Sequence, residues 1–298
     1  MKYVITGGAG NISKPLTLAL LKAGHDVTVI GRNAANLKEL TDAGAKAATG
    51  SVDDVFFLTK AFAGADAVYT MVPPRYDITA NWKETIGQAG KNYADAIKAN
   101  NIKYVINLSS VGAHLPDGCG PVSGLYIVEQ ALNSLTDVNV KHLRPMFFYA
   151  NLLATAGMAK NMNIIGNNFG GPGFKFAISD TNDIAEAAFE ELSELNFTGH
   201  AVRYIASDEV STDEIAKEIG AAIGKPELPW VTFTNEQAYG GMVQAGLTEE
   251  IAKNYVEMGN AISNGTMYAD YWTNHPLNFG KTKLKDFAKV FAAVYNQN

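Results

Sequence analysis

The sequence predicts an α/β protein in which a doubly wound parallel sheet carries a smaller α+β portion. Through the first half of the 298 residues, short β-branched runs alternate with longer helical patterns, which is typical of a parallel sheet with helices on both faces. A glycine-rich turn follows the first of these runs and opens a helix, within the ~30 residues of one βαβ unit. Beyond residue 150 the alternation loosens, which places the smaller portion at the C-terminal end.

Hydrophobic period and turn residues define the elements of the first half. The longest helix is predicted at 78–100, where apolar residues recur at three- and four-residue steps from Trp82 to Ile97. Shorter helices are predicted from Ser13, through Leu37 and Leu40, after residue 54, and at 125–135. Six strands are predicted between them, at 3–5, 26–30, 45–48, 67–72, 104–108 and 140–144.

The second half contains fewer periodic segments. The segment 161–173 is dense in Asn and Gly, which predicts a loop or a short hairpin. Helices are predicted from Asp183, from the capping-box residues 211–214 up to Gly224, and at 281–295, with a strand at 201–205. We therefore predict a sheet domain at 1–150 and a smaller C-terminal portion at 151–298, with segments near 183–210 returning to the sheet.

The composition argues against two functional classes, nucleic-acid-binding proteins and membrane proteins. A net charge of −6, a pI near 5.4 and the lack of a Lys/Arg cluster argue against a nucleic-acid surface. No apolar run approaches the ~20 residues needed to span a bilayer, and the N-terminus is already predicted strand rather than signal peptide. We therefore expect a cytoplasmic protein that binds neither nucleic acid nor membrane.

Metal chemistry is not expected either. Cys119 is the only cysteine, which excludes an intrachain disulfide and a cysteine-based metal site. The five histidines are scattered without the spacing of metal ligands. They are His25, His114, His142, His200 and His275.

The segment 6–13, reading TGGAGNIS, carries the strongest functional signal. Gly7, Gly8 and Gly10 lack a Cβ and tolerate positive φ, so a bulky ligand can approach the bare backbone. The unpaired amides of the first helical turn then point at an anion, most economically the pyrophosphate of a dinucleotide. Ser13 stands where a third glycine is usual and is small enough for close helix–strand packing. The alternative is a tight turn that binds nothing.

The end of the second predicted strand bears on which dinucleotide is bound. Proteins that prefer NAD place an acidic residue there, roughly 20 residues beyond the glycines, to hold the ribose 2′-hydroxyl. This sequence has Gly31-Arg32-Asn33 instead. An arginine offers forked donors to a 2′-phosphate, and the missing carboxylate removes a repulsion. We therefore favour NADP(H) over NAD(H); the alternative is that Arg32 only solvates the edge of the sheet.

Five motifs, taken together, resemble one family. They are the glycine-rich turn, Arg32-Asn33, the segment 72–77 (VPPRYD), Leu143-Arg144-Pro145 with Phe147, Phe148 and Asn151, and Asp183-Ile184-Ala185. In their order and spacing the chain resembles the NmrA-like branch of the atypical short-chain dehydrogenase/reductases over essentially its whole length. It is most similar to the bacterial subgroup that contains triphenylmethane reductase and quinone oxidoreductase type 2. The resemblance implies a Rossmann-type domain, NADP(H), and a cleft between the domains for a second ligand.

The resemblance also implies positions for the parts of the cofactor. The pyrophosphate would lie on the glycine-rich turn, the 2′-phosphate on Arg32, the adenine beside Ser51, and the nicotinamide beyond the fifth and sixth strands. These positions agree with the carboxyl ends of the strands, where ligands of doubly wound sheets bind. The cofactor-binding residues implied are Gly7, Gly10, Asn11, Ile12, Arg32, Asn33, Ser51, Val52, Met71, Val72, Pro73, Ser109, Ser110 and Pro145.

The acid of the wider superfamily is missing. Typical members carry Tyr-x-x-x-Lys on the helix after the fifth strand, where the lysine depresses the pKa of the tyrosine. With Glu129 as an anchor, the two places fall on Pro121 and Leu125, and neither is an acid. The residue four positions after Tyr126 is Gln130, so this phenol lacks a cationic partner at that spacing. Tyr126 is therefore a weak candidate for the catalytic acid and a better one for a packing or pocket residue.

A missing acid restricts the acceptor. Reduction of an ordinary ketone creates a basic alkoxide that needs an acid, whereas a quinone yields a stabilised phenolate and a cationic conjugated acceptor yields a neutral product. We therefore expect an electron-poor, planar acceptor that is reduced mainly by proximity. Aromatic residues would line its pocket, unless they are core residues, which is the more common role. The pocket candidates are Tyr76, Tyr126, Phe147 and Phe148, with Trp82 and Tyr149 nearby in sequence.

Two functional hypotheses follow. The first is an NADPH-dependent reductase of a small aromatic or quinone-like substrate, acting as a monomer or a homodimer. The second is a non-catalytic NADP(H)-binding sensor that acts through a protein partner, because loss of the Tyr/Lys pair suits both. An epimerase of nucleotide sugars is weaker, since its chemistry needs the same tyrosine.

Overall fold

The computed structural model describes residues 1–297, which form one large sheet, two small sheets and the helices that cover them. The strands are β1 (Lys2–Ile5), β2 (Asp26–Gly31), β3 (Lys46–Thr49), β4 (Ala67–Thr70), β5 (Tyr104–Leu108), β6 (Asn139–Pro145), β7 (Phe147–Phe148), β8 (Ile165–Asn167), β9 (Lys175–Ser179), β10 (His200–Ile205), β11 (Asp208–Ser211) and β12 (Trp230–Thr232). The helices are α1 (Ser13–Lys22), α2 (Lys38–Asp42), α3 (Val55–Ala61), α4 (Trp82–Ala99), α5 (Pro121–Asn133), α6 (Ala156–Asn161), α7 (Thr181–Glu194), α8 (Thr212–Ala222), α9 (Asn235–Gln244), α10 (Glu249–Ser263), α11 (Ala269–Thr273) and α12 (Leu284–Gln297), with 3₁₀ helices at Ala34–Leu37, Tyr149–Thr155 and Thr266–Tyr268.

The large sheet confirms the predicted fold class. Its seven strands lie in the order β10-β6-β5-β4-β1-β2-β3, and every pair of neighbours is parallel. One face is covered by α1 and α7, with Leu16 and Ile184 in its core cluster. The other face is covered by α3, α4 and α5, with Leu58 and Tyr93 in a second cluster. The carboxyl ends of the strands therefore meet at one edge, where the loops with the predicted site residues emerge.

The predicted strands of this sheet all form. Their ends differ from the predicted ones by at most two residues. β3 gave the weakest pattern in the sequence because it is an edge strand whose residues are mostly exposed, so it shows little apolar alternation. The opposite edge is β10, which follows α7 in the chain and pairs with β6.

The segment 161–173 differs from the predicted loop or hairpin. Residues Ile165–Asn167 form β8, which pairs in parallel with β12. A hairpin is antiparallel and joins sequence neighbours, whereas the partner of β8 comes from a distant part of the chain. A strand of three residues is too short to show a hydrophobic period, so β8 could not be predicted from periodicity.

Two helices begin later than predicted, for local reasons. The long helix α4 begins at Trp82 because Asn81 has a left-handed φ of 55°. The terminal helix α12 begins at Leu284 because the chain before it is tied to α7: the backbone amides of Lys281 and Thr282 each donate to the Asp183 carboxylate at 3.1 Å.

A buried polar chain crosses the middle of the large sheet. The Thr70 hydroxyl donates to the Asn107 side-chain oxygen at 3.0 Å, and the Asn107 amide nitrogen lies 3.1 Å from Nδ1 of His142. Nε2 of His142 lies 2.9 Å from the side-chain oxygen of Asn133. This arrangement fits a neutral imidazole that accepts at Nδ1 and donates at Nε2. Burial lowers the pKa of His142 to about 4.

We expect stability to fall as the pH falls from about 6.5 to about 4. In that range His142 becomes protonated in the unfolded chain but stays neutral in the folded chain. The free energy of unfolding therefore falls by up to roughly 3 kcal/mol. Denaturant unfolding at a series of pH values measures the effect. A His142→Gln variant should lose less stability over this range than the wild type. Equal slopes in the two proteins would contradict the assignment.

Candidate functional site

A cavity of about 670 Å³ opens at the carboxyl ends of β1, β2, β3 and β4. This is the edge at which a doubly wound sheet binds its ligand. The cavity is lined by residues of the glycine-rich turn (Gly7, Gly8, Ala9, Gly10), of the β2 end (Ile30, Gly31, Arg32, Asn33, Asn36, Leu37), of the β3 end (Gly50, Ser51, Val52, Asp53), of the β4 end (Val72, Pro73, Arg75) and of α4 (Trp82, Thr85, Ile86, Ala89).

The glycine-rich turn has the backbone that the sequence implied. Gly7 and Gly8 have φ values of 84° and 48°, which favour glycine. A Cβ on Gly7 would lie 2.7 Å from both the Met71 sulfur and the Ser13 hydroxyl, so the turn is closely packed behind. A Cβ on Gly10 would meet only the Gly7 carbonyl oxygen, at 3.1 Å, and would otherwise point into open space. The front of the turn is therefore a bare concave backbone surface.

Helix α1 starts directly behind this surface. Ser13 is its first residue, and the buried Ser13 hydroxyl donates to the Thr6 carbonyl at 2.8 Å. A small side chain with its hydrogen bond satisfied thus fills the place of the third glycine. Within residues 1–297, no side chain caps the N-terminus of α1, and Asn11 beside it is exposed while Ile12 is buried in the core. The Lys14 amide donates to the Gly10 carbonyl at 2.9 Å and Pro15 has no amide, so the amides of residues 11–13 are the ones that this turn can offer to a pyrophosphate.

The end of β2 carries one cation and no carboxylate. Arg32 is exposed and lines the cavity. Asn33 has a structural task, because its side-chain oxygen accepts from the Ala35 amide at 2.9 Å and caps a 3₁₀ helix. Asp53, from the segment after β3, is the one carboxylate among the residues that line the cavity.

The wall beyond β3 and β4 is partly apolar. Trp82 and Ile86 of α4 line it together with Val52, whose carbonyl accepts from the Asn92 side chain at 3.1 Å. The Ser51 hydroxyl donates to Asp53 at 3.1 Å. Such a wall, with a few polar groups at its rim, is typical of a site for a planar heterocycle.

Met71 and the two residues that follow it, Val72 and Pro73, have different positions relative to the cavity. Val72 and Pro73 line the cavity. Met71 lies behind the glycine turn instead, where its carbonyl accepts from the Tyr93 hydroxyl at 2.6 Å. Met71 therefore supports the turn from behind and does not line the cavity.

The residues at the ends of β5 and β6 lie outside this cavity. Pro145 is buried at the end of β6, and its carbonyl accepts from the Val111 amide at 2.9 Å. The Ser110 hydroxyl donates to the Val111 carbonyl, also at 2.9 Å. Ser109 is buried, and its hydroxyl donates to Glu129 on α5 at 2.5 Å.

Ser109 belongs to a buried charge network that sequence reasoning missed. Glu129 forms a forked pair with Arg144, at 2.6 and 3.0 Å. Arg144 also donates to the Tyr204 hydroxyl and to Asp270, each at 3.0 Å, and Tyr204 donates to Asp270. Each of these residues is satisfied by the others, so we assign the network to structure. The spacing of Arg144 and Asp270 in the sequence gives no sign that they meet.

The four predicted pocket aromatics do not meet at the cavity. Phe147 lies in the core of the smaller portion, with its ring edge-to-face with Phe169 and Phe176 at centroid distances of 5.6 and 5.8 Å. Phe148 is half-buried against the sheet core. Tyr126 is half-buried on α5 and makes no hydrogen bond to the residues the structure describes.

Tyr76 directly follows Arg75, which lines the cavity. The Tyr76 side chain is 55% exposed and contacts the Tyr255 hydroxyl on α10. Tyr255 in turn packs edge-to-face on Trp82, with ring centroids 5.4 Å apart. Tyr76 is therefore connected through one ring to the wall of the cavity.

Two negative findings concern residues 1–297 only. No helix in this range is long and apolar enough to cross a membrane. In the same range, no group of three or more His, Cys, Asp or Glu residues is arranged to hold a metal ion.

The comparisons with known proteins concern the N-terminal segment and the overall fold. Residues 7–140 match a family described as NAD(P)H-binding. A search of curated proteins finds no match to this chain. Among solved structures, the NADPH-dependent quinone oxidoreductase QOR2 from Escherichia coli, complexed with NADPH, is 20% identical with a TM-score of 0.82, covering 97% of this chain and 99% of its own.

Two further structures show how widely the fold is used. The Citrobacter sp. triphenylmethane reductase complexed with NADP(H) is 20% identical with a TM-score of 0.79, over 97% of this chain and 99% of its own. The UDP-glucose 4-epimerase from Bifidobacterium longum, in complex with NAD+ and UDP, is 15% identical with a TM-score of 0.70, over 100% and 99%. Residues 7–140 therefore match an NAD(P)H-binding family, and the chain shares its fold with QOR2 and triphenylmethane reductase.

Proposed function

We propose that this protein is an NADPH-dependent reductase that transfers hydride to a quinone or another electron-poor conjugated acceptor. The observation that carries the proposal is the position of Arg32, an exposed cation on the rim of a cavity floored by the glycine-rich turn. The named activities of QOR2 and triphenylmethane reductase, which share the fold and were solved with NADPH or NADP(H), support it.

The choice of NADPH over NADH depends on charge at the end of β2. A carboxylate at this position would bind a 2′-hydroxyl and repel a 2′-phosphate, and Gly31-Arg32-Asn33 supplies none. The guanidinium of Arg32 is planar and offers paired donors that match a phosphate. Arg32 makes no ion pair with the residues the structure describes, so it can turn toward the phosphate without losing a partner.

The other predicted residues have assigned roles in this proposal. The backbone of Gly7, Gly10, Asn11 and Ile12 binds the pyrophosphate, and Ser51, Val52, Val72 and Pro73 bound the adenosine. Met71 acts indirectly, since it packs behind Gly7. Ser109, Ser110 and Pro145 form the surface under the nicotinamide, at the ends of β5 and β6. When bound, the cofactor supplies a hydride, and these residues hold its reactive face toward the acceptor.

The class of acceptor follows from the residues of α5. Pro121 and Leu125 stand at the places of the acid and its lysine, and the Tyr126 phenol has Gln130 one turn later. Helix α5 therefore offers no activated acid for an alkoxide, and we propose an acceptor whose reduced form is already stabilised. The aromatic candidates for the acceptor side are Tyr76, Tyr126 and Phe148, which are at least partly exposed.

An acceptor panel tests the reaction. We expect oxidation of NADPH, followed by its absorbance, with quinones or cationic dyes and not with simple ketones or aldehydes. Buffer with each acceptor and no protein is the control for direct reduction. Tight binding of NADPH without turnover on any acceptor would contradict the proposal and would favour the sensor.

The glycine turn is tested by Gly10→Ala. The added methyl group projects into the cavity, so NADPH affinity should fall about tenfold or more, in line with an overpacking cost of roughly 1–3 kcal/mol. Calorimetric titration measures the affinity. Gly240→Ala is the matched control, because Gly240 lies on α9 with open space around it. The turn is not the pyrophosphate site if both variants bind equally well.

The 2′-phosphate site is tested by Arg32→Glu. We expect the affinity for NADPH to fall by about 10- to 100-fold, because a charge-assisted bond is lost and a like charge is gained. The affinity for NADH should change far less, since NADH carries no phosphate there. Both affinities are measured by titration on the same preparation. An equal loss for the two cofactors would remove the argument for NADPH.

A further inference from the structure

The loop between β4 and α4 brings a second arginine to the cavity. Arg75 and Arg32 are the two cationic side chains among the residues that line it. The Arg75 side chain is 34% exposed, which leaves its guanidinium at the mouth of the cavity rather than in open solvent.

Arg75 is held from one side by Asp77. Its Nε donates to one carboxylate oxygen at 3.3 Å and its Nη2 donates to the other at 3.1 Å, in a forked pair. Asp77 does not line the cavity. The third nitrogen, Nη1, reaches only Asp53, at 3.5 Å, which is the limit of a hydrogen bond. Nη1 is therefore the part of the guanidinium that can exchange its partner.

The topology of the sheet places this guanidinium over the cavity. Arg75 follows β4 and Asp53 follows β3, and these strands flank β1 and β2 in the sheet. The Arg75–Asp53 contact thus bridges the ends of β1 and β2, on the side from which Arg32 emerges. Hydrogen bonding with Arg75 lowers the pKa of Asp77, and the positive charge of Arg32 adds to the lowering, so both arginines lie within electrostatic reach of this carboxylate.

We propose that Arg75 is a second ligand of the cofactor's 2′-phosphate, facing Arg32 across the cavity, with Asp77 as its positioning residue. This inference rests on the proposed use of NADPH. A phosphate carries about −1.5 to −2 charges and three acceptor oxygens, so it competes well with Asp53 for Nη1. Arg75 also neutralises Asp53, which otherwise presents a like charge to the phosphate from within the cavity.

Binding measurements on variants test the proposal without turnover. Affinities for NADPH and NADH are measured by calorimetry in the wild type, Arg75→Gln and Arg75→Lys. Arg75→Gln should lower the affinity for NADPH by about 10- to 100-fold, the equivalent of one charge-assisted bond. It should lower the affinity for NADH by less than about twofold. Arg75→Lys should lie in between, since it keeps the charge and loses the fork.

The matched control is Arg203→Gln. Arg203 is also about one third exposed and also pairs with two carboxylates, those of Glu190 and Glu191, but it lies on β10 away from the cavity. The Arg203→Gln substitution removes the same charge and should change neither the NADPH affinity nor the NADH affinity. Asp53→Asn supplies an effect of opposite sign: NADPH should bind more tightly, because a like charge is removed and Nη1 is released.

The outcomes separate this inference from the proposed function. If Arg75→Gln leaves NADPH affinity unchanged, or weakens both cofactors equally, Arg75 is not a phosphate ligand. If the wild type prefers NADPH through Arg32 alone, only the Arg75 proposal fails. If the wild type does not prefer NADPH, the choice of cofactor in the proposed function fails with it. Thermal unfolding of each variant confirms that a loss of affinity is not a loss of fold.

Discussion

The close packing between β1, α1 and β4 at Gly7 is the constraint on which the site depends. A single methyl group there would overlap the Met71 sulfur and the Ser13 hydroxyl. Because the back of the turn is filled, a ligand can approach its backbone only from the cavity. Ser13 fits this space as the third glycine normally would, since its hydroxyl is satisfied by the Thr6 carbonyl. The position of the proposed phosphate-binding surface is thus determined by packing rather than by a charged side chain.

Charged side chains lie at the rim of the cavity, apart from the glycine turn. Arg32 extends from β2 and Arg75 from the loop after β4, while Asp53 provides the opposing charge. These groups are partly exposed, where ion pairs contribute little to folding stability. In the proposed function their value lies instead in discrimination between two cofactors that differ by one phosphate. The glycine turn would bind what the two cofactors share, so affinity and specificity would be supplied by different parts of the site.

The buried network around Arg144 has a different character. Arg144 and Glu129 are both less than 10% exposed, and their pair joins β6 to α5 and, through Asp270, to the C-terminal segment. Removal of one partner from such a pair strands a buried charge and is strongly destabilising. Ser109 is bonded into the same network, next to the proposed nicotinamide surface. Together they give this surface a rigid support from the smaller portion of the chain.

The sequence by itself determined the parallel sheet, the glycine turn and the cation at the end of β2. These features are local, because a strand, a turn and a helix follow one another within one βαβ unit. Their residue types indicate the backbone conformation that each of them needs. Tertiary structure decided which residues meet from distant segments, such as β8 with β12, Arg144 with Asp270, and Arg75 with Asp53. It also placed the Phe147 ring in the core, where the sequence predicted a pocket. A side chain's neighbours depend on how separate segments pack, and no period or motif within a single segment carries that information.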